Sequence, residues 1–449
     1  MIVLYTILIG MYFIGLFVDW NVLNYIVGTL AVLSCVLSFK GANRLFQAAG
    51  IIFLLTGTGL FLFQGRPFYE VPLYMTSNIT LLALFFVIPF MNSVIIIGRY
   101  DRNVNSLMKM KIDHLGQLYN RTSLATFLLG GFLNVATLPL IENVVKQSLL
   151  DKANSLKNRF ISEAMLRGYT LALFISPMEV LVILSVDYTE TSYLTLLPLL
   201  IIFVIIIALT IWLVSSKYKQ IELGKEVNKR YITLTKHTIF KITTLLIYLI
   251  LFTVSIIFIN DVTRIGLLQT VGLTIVPYSL IWAASIRRFK SFIHYVIPFW
   301  KQRTLSLNSY MVLFLSVGFF TSNLNDSIFL DYIQQPFKEL IHLPLLLFVF
   351  IQFLFLFLAM VGFHPIVTMS ILGGVLTPLV AEINPISLAI VLISSSLSTV
   401  MAGPFNISVS LTGNLLNVNP YAVSRWNLLF ALFFSSIGTG MAMVILQLG

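Results

Sequence analysis

The segments GGFLNVAT (residues 130–137) and VGFHPIVT (361–368) interrupt two long apolar regions. Each is followed about forty residues later by a second polar segment, SPME (176–179) and GPFN (403–406). In hydrocarbon an unsatisfied backbone polar group costs on the order of several kcal/mol, so helix-breaking clusters at membrane depth are expected inside protein or against trapped water. Two such clusters in corresponding halves of a chain are typical of a transporter's binding site.

The composition is that of a membrane protein. The chain has 449 residues, of which 58% are hydrophobic and 10% charged, whereas soluble chains carry roughly 25% charged residues. A helix needs about 20 apolar residues to cross a bilayer. Clear spans are predicted near 1–18, 21–39, 45–64, 77–98, 163–185, 191–215, 240–259, 266–286 and 425–447, and less distinct ones at 123–141, 308–330, 343–376 and 384–416. The predicted fold class is an all-α polytopic membrane protein.

The net charge of +11 is explained by topology and does not call for a nucleic-acid partner. Of the 28 Lys and Arg residues, 22 fall in the four segments 99–121, 142–167, 217–241 and 287–303. Cytoplasmic loops of membrane proteins carry such an excess of Lys and Arg. We therefore expect a multi-pass protein of the cytoplasmic membrane, from a bacterium, with these four segments inside.

The same rule predicts an inverted repeat with broken or re-entrant helices. The 123–141 stretch has basic segments on both sides, which a simple crossing does not allow. Span 77–98 runs inward, whereas 308–330 runs outward. Asn134 and Pro177 are 43 residues apart, and His364 and Pro404 are 40 apart.

Opposite direction with matched spacing is the pattern of an inverted-topology repeat. The predicted segments are N-terminal helices (1–76), a first transport repeat (77–215), a cytoplasmic loop with a two-helix linker (216–307) and a second transport repeat (308–449).

Glu179 is the acidic residue that we place deepest in a predicted span, two residues after Pro177. Ionisable side chains at membrane depth usually line a cavity or pair with another group. Glu179 is therefore a candidate proton carrier or substrate ligand. The alternative is a structural partner for a backbone N–H freed near Pro177.

Asn134 and Asn406 lie in the two breaks, with hydroxyl residues close by in sequence. An Asn side chain offers both a donor and an acceptor, which suits an oxyanion or a dehydrated cation. The nearby hydroxyl candidates are Thr137, Thr368 and Ser408. Such hydroxyls also commonly bond back to their own helix or join helices together, which is the structural alternative.

His364 and Pro404 complete the predicted binding residues. His364 precedes Pro365 and is a candidate for proton transfer, with a structural role as the alternative. Coupling is assigned to Glu179 and His364. No Walker loop and no metal-ligand spacing occurs in the sequence, and Cys35 is its one cysteine, so no cofactor beyond a coupling proton or sodium ion is expected.

The segment LNVATLP (133–139) resembles the Ser-Asn-Thr-Ala-Thr break of the divalent anion:sodium symporters. The region from INP (383–385) through GPFN (403–406) to Thr412-Gly413 is similar to their second signature, in which Thr-Pro-Pro-Asn follows a Ser-rich helix. The segment 314–331 resembles the entrance hairpin of the wider ion transporter superfamily, which includes arsenite pumps.

This resemblance implies a secondary transporter, not an enzyme, with a homodimeric, elevator-like architecture and a small-molecule or ion substrate. Several positions depart from the family. Leu133 and Val135 replace Ser and Thr, His364-Pro365 replaces Ser-Asn, and Met178-Glu179 replaces Pro-Asn. Because the family positions serve sodium and carboxylate, the departures favour proton coupling through Glu179 and His364.

The predicted function is transport of a small, anionic solute, coupled to an ion or a proton. The alternatives are a membrane-embedded polymerase of cell-envelope glycans and a lipid-carrier flippase. The polymerase usually needs a sizeable external loop with catalytic groups, whereas the longest polar loops here are predicted inside.

The topology is tested by cysteine labelling of intact cells. After Cys35→Ala, a membrane-impermeant thiol reagent is expected to miss Lys225→Cys and to label Gly449→Cys, because the charge pattern places the first inside and the second outside. Labelling of Lys225→Cys in intact cells would contradict the inverted repeat.

Overall fold

The computed structural model describes residues 1–18, 20–109, 112–149, 152–221 and 235–448, which form helices joined by short connections, with no strand among them. The first eleven helices are α1 (Ile2–Gly15), α2 (Asn21–Ser38), α3 (Arg44–Phe63), α4 (Val71–Tyr74), α5 (Ile79–Ile97), α6 (Tyr100–Asn105), α7 (Leu115–Leu133), α8 (Thr137–Gln147), α9 (Asn154–Phe174), α10 (Val180–Tyr188) and α11 (Tyr193–Ser215). The remaining ten are α12 (Lys236–Thr263), α13 (Leu267–Ser285), α14 (Phe289–Leu305), α15 (Asn308–Asn325), α16 (Phe329–Leu340), α17 (Pro344–Val361), α18 (Pro365–Leu376), α19 (Pro385–Ala402), α20 (Ile407–Leu416) and α21 (Pro420–Leu448).

The protein is an all-α polytopic membrane protein. In the described ranges, eleven helical segments are long and apolar enough to cross a membrane, and the bent pair α14 and α15 adds a twelfth. The labelling positions Lys225 and Gly449 lie outside the described residues.

Several predicted boundaries were wrong. α1 has 14 residues and is about 21 Å long at 1.5 Å per residue, shorter than the predicted span 1–18 and than the about 30 Å of a hydrocarbon core. The predicted span 163–185 is two helices, since α9 ends at Phe174 and α10 begins at Val180. The basic segments 142–167 and 287–303 are largely helical.

The chain forms two compact units, each assembled from separate parts of the sequence. Unit 1 comprises Met1–Ile97, Ser255–Leu340 and Ser370–Leu379. Its centre is the packing of α3 on α15, where Gly57 of α3 allows the Phe319 ring to approach the helix backbone.

Unit 2 comprises Gly98–Val254, Ile341–Met369 and Val380–Gly449. In its centre α7 packs on α9 and α19 packs on α21. α9 is buried continuously from Phe160 to Phe174, and α19 from Ser387 to Ala402. Such helices are enclosed by protein on all sides, which suits the irregular backbone at their ends.

The two broken regions have matching element lengths. In the first, α7, α8, α9 and α10 have 19, 11, 21 and 9 residues. In the second, α17, α18, α19 and α20 have 18, 12, 18 and 10 residues. The long helices α11 and α21 follow them. The order long, short, long, short, long therefore occurs twice.

Gly168 of α9 lies at the closest approach of α9 to α7. A Cβ atom on Gly168 would lie 2.3 Å from the Ser123 carbonyl oxygen and 2.8 Å from its Cα. The Ser123 hydroxyl donates to the Ala164 carbonyl oxygen at 2.8 Å. Small residues at helix contacts permit this kind of backbone approach in membranes.

Gly168→Ala is expected to destabilise the protein by about 1–3 kcal/mol, because the added methyl group meets backbone atoms that cannot turn away. The measurement is the midpoint of thermal unfolding of the purified protein in detergent. Gly10→Ala is the matched control, since a Cβ there meets nothing within 4 Å. Equal midpoints for the two variants would contradict the close packing of α7 on α9.

Candidate functional site

The first break, between α7 and α8, is built around Asn134. Its backbone has φ 49° and ψ −137°, a conformation that glycine adopts readily and few other residues do. Its side-chain oxygen accepts hydrogen bonds from the Val135 N–H at 2.7 Å and from the Tyr169 hydroxyl at 2.5 Å. The amide thus holds the chain in a strained turn and joins α7 to α9.

The second interruption in this half, between α9 and α10, is held by Ser176. Its hydroxyl donates to the Gly131 carbonyl at 3.2 Å and accepts from the Met178 N–H at 3.3 Å. The Tyr193 hydroxyl donates to the Ile175 carbonyl at 2.8 Å. Pro177 is buried in this turn. Hydrogen bonds of the Tyr169 and Ser176 hydroxyls therefore join the two interruptions.

Glu179 is the residue immediately before α10 and is 8% exposed. Its backbone N–H donates to the Ser176 carbonyl at 3.1 Å. Its carboxylate lies near the Leu181 N–H without a hydrogen bond of capping geometry. The positive end of a helix favours a negative charge at this place. No ion pair identified in the described part of the chain includes Glu179.

The third interruption, between α17 and α18, begins at Gly362, whose φ is +117°. The Gly362 and Phe363 N–H groups both donate to the Leu358 carbonyl, at 3.1 and 2.9 Å. His364 is half-buried, and its Nδ1 accepts from the Ile366 N–H at 3.3 Å. The Thr368 N–H, in the buried first turn of α18, donates to the His364 carbonyl at 3.2 Å. His364 is therefore the residue that precedes α18 and accepts the first backbone hydrogen bonds of that helix.

The fourth interruption, between α19 and α20, includes Pro404, which is buried, and Asn406, which caps α20. The Asn406 side-chain oxygen accepts from the Ser408 N–H at 3.2 Å. The Ser408 hydroxyl lies within hydrogen-bonding distance of both Asn406 Oδ1 and the Val400 carbonyl. A Cβ on Gly362 would lie 3.8 Å from the Phe405 ring, so the third and fourth interruptions are neighbours.

Helices from both broken regions pack together in the core of unit 2. α20 contacts α8 and α9, and α19 contacts α9 and α10. The Asn158 side chain donates to the Leu416 carbonyl at 3.3 Å, and the Asn427 side chain donates to the Ser162 hydroxyl at 2.9 Å. All nine residues predicted for binding lie in the ranges of unit 2.

Among the residues that the structure describes, four hydroxyls in this core are fully buried and have no hydrogen-bond partner. They lie one each on α8, α9, α19 and α20, and they are Thr137, Thr170, Ser395 and Thr412. Buried polar groups nearly always have a partner, so orphaned ones need an explanation such as a bound ligand or water. Ser408 differs, because its hydroxyl is already satisfied.

Sequence reasoning missed several residues of this core. The Tyr169 hydroxyl donates a hydrogen bond to Asn134, but nothing in the sequence around Tyr169 predicts that contact. Glu179 is also not alone as a buried acid, since Glu142 and Glu163 are 2% and 0% exposed. The spacing of Arg159, Glu163 and Arg167 at four-residue steps is a signal for helix ion pairs that could have identified the second of these.

The fold is shared with a solved transporter. It is similar to that of the YdaH transporter of Alcanivorax borkumensis, whose crystal structure was described as revealing an unusual topology. The two superpose with a TM-score of 0.58 over 84% of this chain and 87% of that one, at 14% sequence identity. No family model and no curated protein sequence matches this chain. The similarity establishes the fold alone.

The strained turn at Asn134 gives a direct test. Asn134→Val is expected to lower stability by about 1–3 kcal/mol, because a β-branched residue strongly disfavours positive φ. Asn134→Gly accepts the backbone conformation and loses only the side-chain hydrogen bonds, so it should unfold at a higher temperature than Asn134→Val. Thermal unfolding in detergent is the measurement, and the reverse order would contradict this backbone geometry.

Proposed function

We propose that this protein is a secondary active transporter of a small anionic solute in the cytoplasmic membrane, coupled to a proton or another cation. The observation that carries the proposal is the meeting of helices from two broken regions in one buried core that contains orphaned hydroxyls. The shared fold with a transporter supports it.

The ends of helices at the breaks favour an anion together with a cation. α8, α10, α18 and α20 each begin at an interruption, and α7, α9, α17 and α19 each end at one. Helix amino termini carry partial positive charge and favour anions, whereas carboxyl termini favour cations. Discontinuous helices use both ends in this way in transporters. We therefore infer that solute and coupling ion bind near one another.

Glu179 and His364 are proposed as the coupling residues. The structural alternative for Glu179 was a partner for N–H groups freed near Pro177, but Ser176 already accepts from the Met178 and Glu179 N–H groups. The Leu181 N–H also lies near the Glu179 carboxylate, but a carboxylate has two oxygens, so it retains acceptor capacity for a proton or a ligand. Burial disfavours the charged form of a carboxylate, which makes proton uptake favourable.

Membership of the ion transporter superfamily, the inverted repeat, the homodimer and the elevator-like mechanism belong to the same proposal. The matching element lengths of the two broken regions support the repeat. An elevator-like mechanism needs the whole binding site on one moving part, and the nine predicted residues fall in one compact unit.

Transport by proteoliposomes tests this function. Uptake of a panel of radiolabelled small carboxylates and inorganic anions is measured, with sodium and pH gradients imposed separately. We expect at least one anion to be taken up in a way that depends on the protein and is faster when that anion and protons are supplied on the same side. A glycan polymerase or a lipid-carrier flippase would take up no member of the panel.

Glu179→Gln is expected to abolish the response to the pH gradient while anion binding persists, because Gln keeps the shape and cannot titrate. Glu382→Gln is the matched control, since Glu382 is exposed and lies outside the breaks. A Gln variant that follows the pH gradient as the wild type does would make Glu179 a structural residue.

A further inference from the structure

A buried ion cluster in unit 2, away from the breaks, carries more positive than negative charge. Glu163 of α9 is fully buried, and one of its oxygens lies 2.8 Å from Arg159 Nε. Its other oxygen lies 2.8 Å from Lys217 Nζ and 3.5 Å from an Arg167 terminal nitrogen. The Tyr218 hydroxyl donates to the same oxygen at 3.3 Å. Three cations therefore share one carboxylate.

Arg167 is fixed in this cluster by its other contacts. Its guanidinium donates to the Tyr119 hydroxyl at 3.0 Å and lies 4.3 Å from the centre of the Phe430 ring. Its Nε is buried and has no hydrogen-bond partner in the part of the chain that the structure describes. Neither Tyr119 nor Phe430 supplies negative charge, so the described residues of the cluster have a net charge of about two positive units. In the buried part of the cluster Glu163 and Arg167 balance each other, so the surplus positive charge lies on Arg159 and Lys217.

The two outer cations are accessible. The side chains of Arg159 and Lys217 are 55% and 41% exposed, whereas that of Arg167 is 5% exposed. Arg159 and Lys217 each place one nitrogen against Glu163. An ammonium group has three N–H donors and a guanidinium group has five, so both side chains can donate to a further ligand. An anion with several oxygens is the ligand for which this arrangement is suited.

An apolar surface ends at this cluster. On α11 the exposed side chains of Ile201, Ile205, Leu209 and Leu213 follow one another at four-residue steps, and Lys217 is next at the same spacing. From the first to the last of these apolar residues the helix rises about 18 Å, on the order of one leaflet of the hydrocarbon core.

Trp212 marks the end of the same surface. It is 57% exposed, and the Lys219 ammonium lies 5.8 Å from its ring centre. Exposed Trp beside basic residues is typical of the level of the lipid headgroups.

We propose that Arg159 and Lys217, supported by Arg167, bind the phosphate of an anionic phospholipid whose acyl chain lies along the exposed stripe of α11. The surplus positive charge favours a negatively charged headgroup. The apolar surface of α11 favours a lipid over a soluble anion, because it can contact an acyl chain. This lipid site is separate from the proposed transport site and does not depend on it.

Lipid binding by the purified full-length protein tests this proposal. Native mass spectrometry in detergent compares dioleoylphosphatidylglycerol with dioleoylphosphatidylcholine. Each cation near an anionic headgroup strengthens binding roughly fivefold, so we expect the double variant Arg159→Gln/Lys217→Gln to bind phosphatidylglycerol about 30-fold more weakly than the wild type. The matched control is Arg288→Gln/Lys290→Gln, which removes the same two residue types from exposed positions and should bind as the wild type does.

Two further measurements keep the test decisive if the double variant folds poorly. The preference of the wild type for phosphatidylglycerol should decrease as salt is raised, because exposed charges are screened. Inorganic phosphate at matched concentrations should not displace the lipid. Equal binding of the two lipids, unchanged binding in the double variant, or displacement by inorganic phosphate would each overturn the lipid site.

Discussion

The structure depends on one constraint, which is that backbone groups freed by a broken helix inside a membrane must find partners within the protein. At the interruptions, side chains from the same region supply these partners. The Ser176 hydroxyl bonds to the Gly131 carbonyl and the Met178 N–H, and the Tyr193 hydroxyl donates to the Ile175 carbonyl. The Asn406 side-chain oxygen accepts from the Ser408 N–H. The need for such partners explains why α9 and α19 are enclosed by protein along most of their lengths.

The same constraint separates structural from functional polar groups. Most hydroxyls in the core of unit 2 already bond to a carbonyl, as Ser123 does with Ala164. The hydroxyls of Thr137, Thr170, Ser395 and Thr412 do not. In the proposed transport site these four groups contact a polar ligand, and the surrounding helix ends favour charge of both signs.

The sequence predicted the fold class and the places of the breaks, because both follow from local chemistry. Long apolar runs predict spans, and Gly, Pro and Asn inside them predict interruptions, which occur at Asn134, His364 and Gly403. The end of α9 was harder to predict, since Pro177 alone does not show whether a helix bends or stops. The length of α1 was overestimated because an apolar run does not show where its helix ends.

The tertiary contacts were beyond sequence reasoning. Nothing local indicates that Tyr169 binds Asn134 or that Lys217 reaches Glu163 across 54 positions. The unpaired hydroxyls could not be predicted either, because the sequence does not show whether a Thr hydroxyl has a hydrogen-bond partner. The predicted residues Thr137 and Ser408 illustrate this, since one proves unpaired and the other satisfied.

In the proposed mechanism the two broken regions form one ligand site. The decisive experiment is cryo-electron microscopy of the protein in lipid nanodiscs with the anion that is taken up. We expect density of the size of a small anion in the core of unit 2, in contact with the interruptions at Asn134 and Asn406 and with the hydroxyls of Thr137 and Thr412. Ligand density elsewhere in the protein, with that core empty, would contradict it.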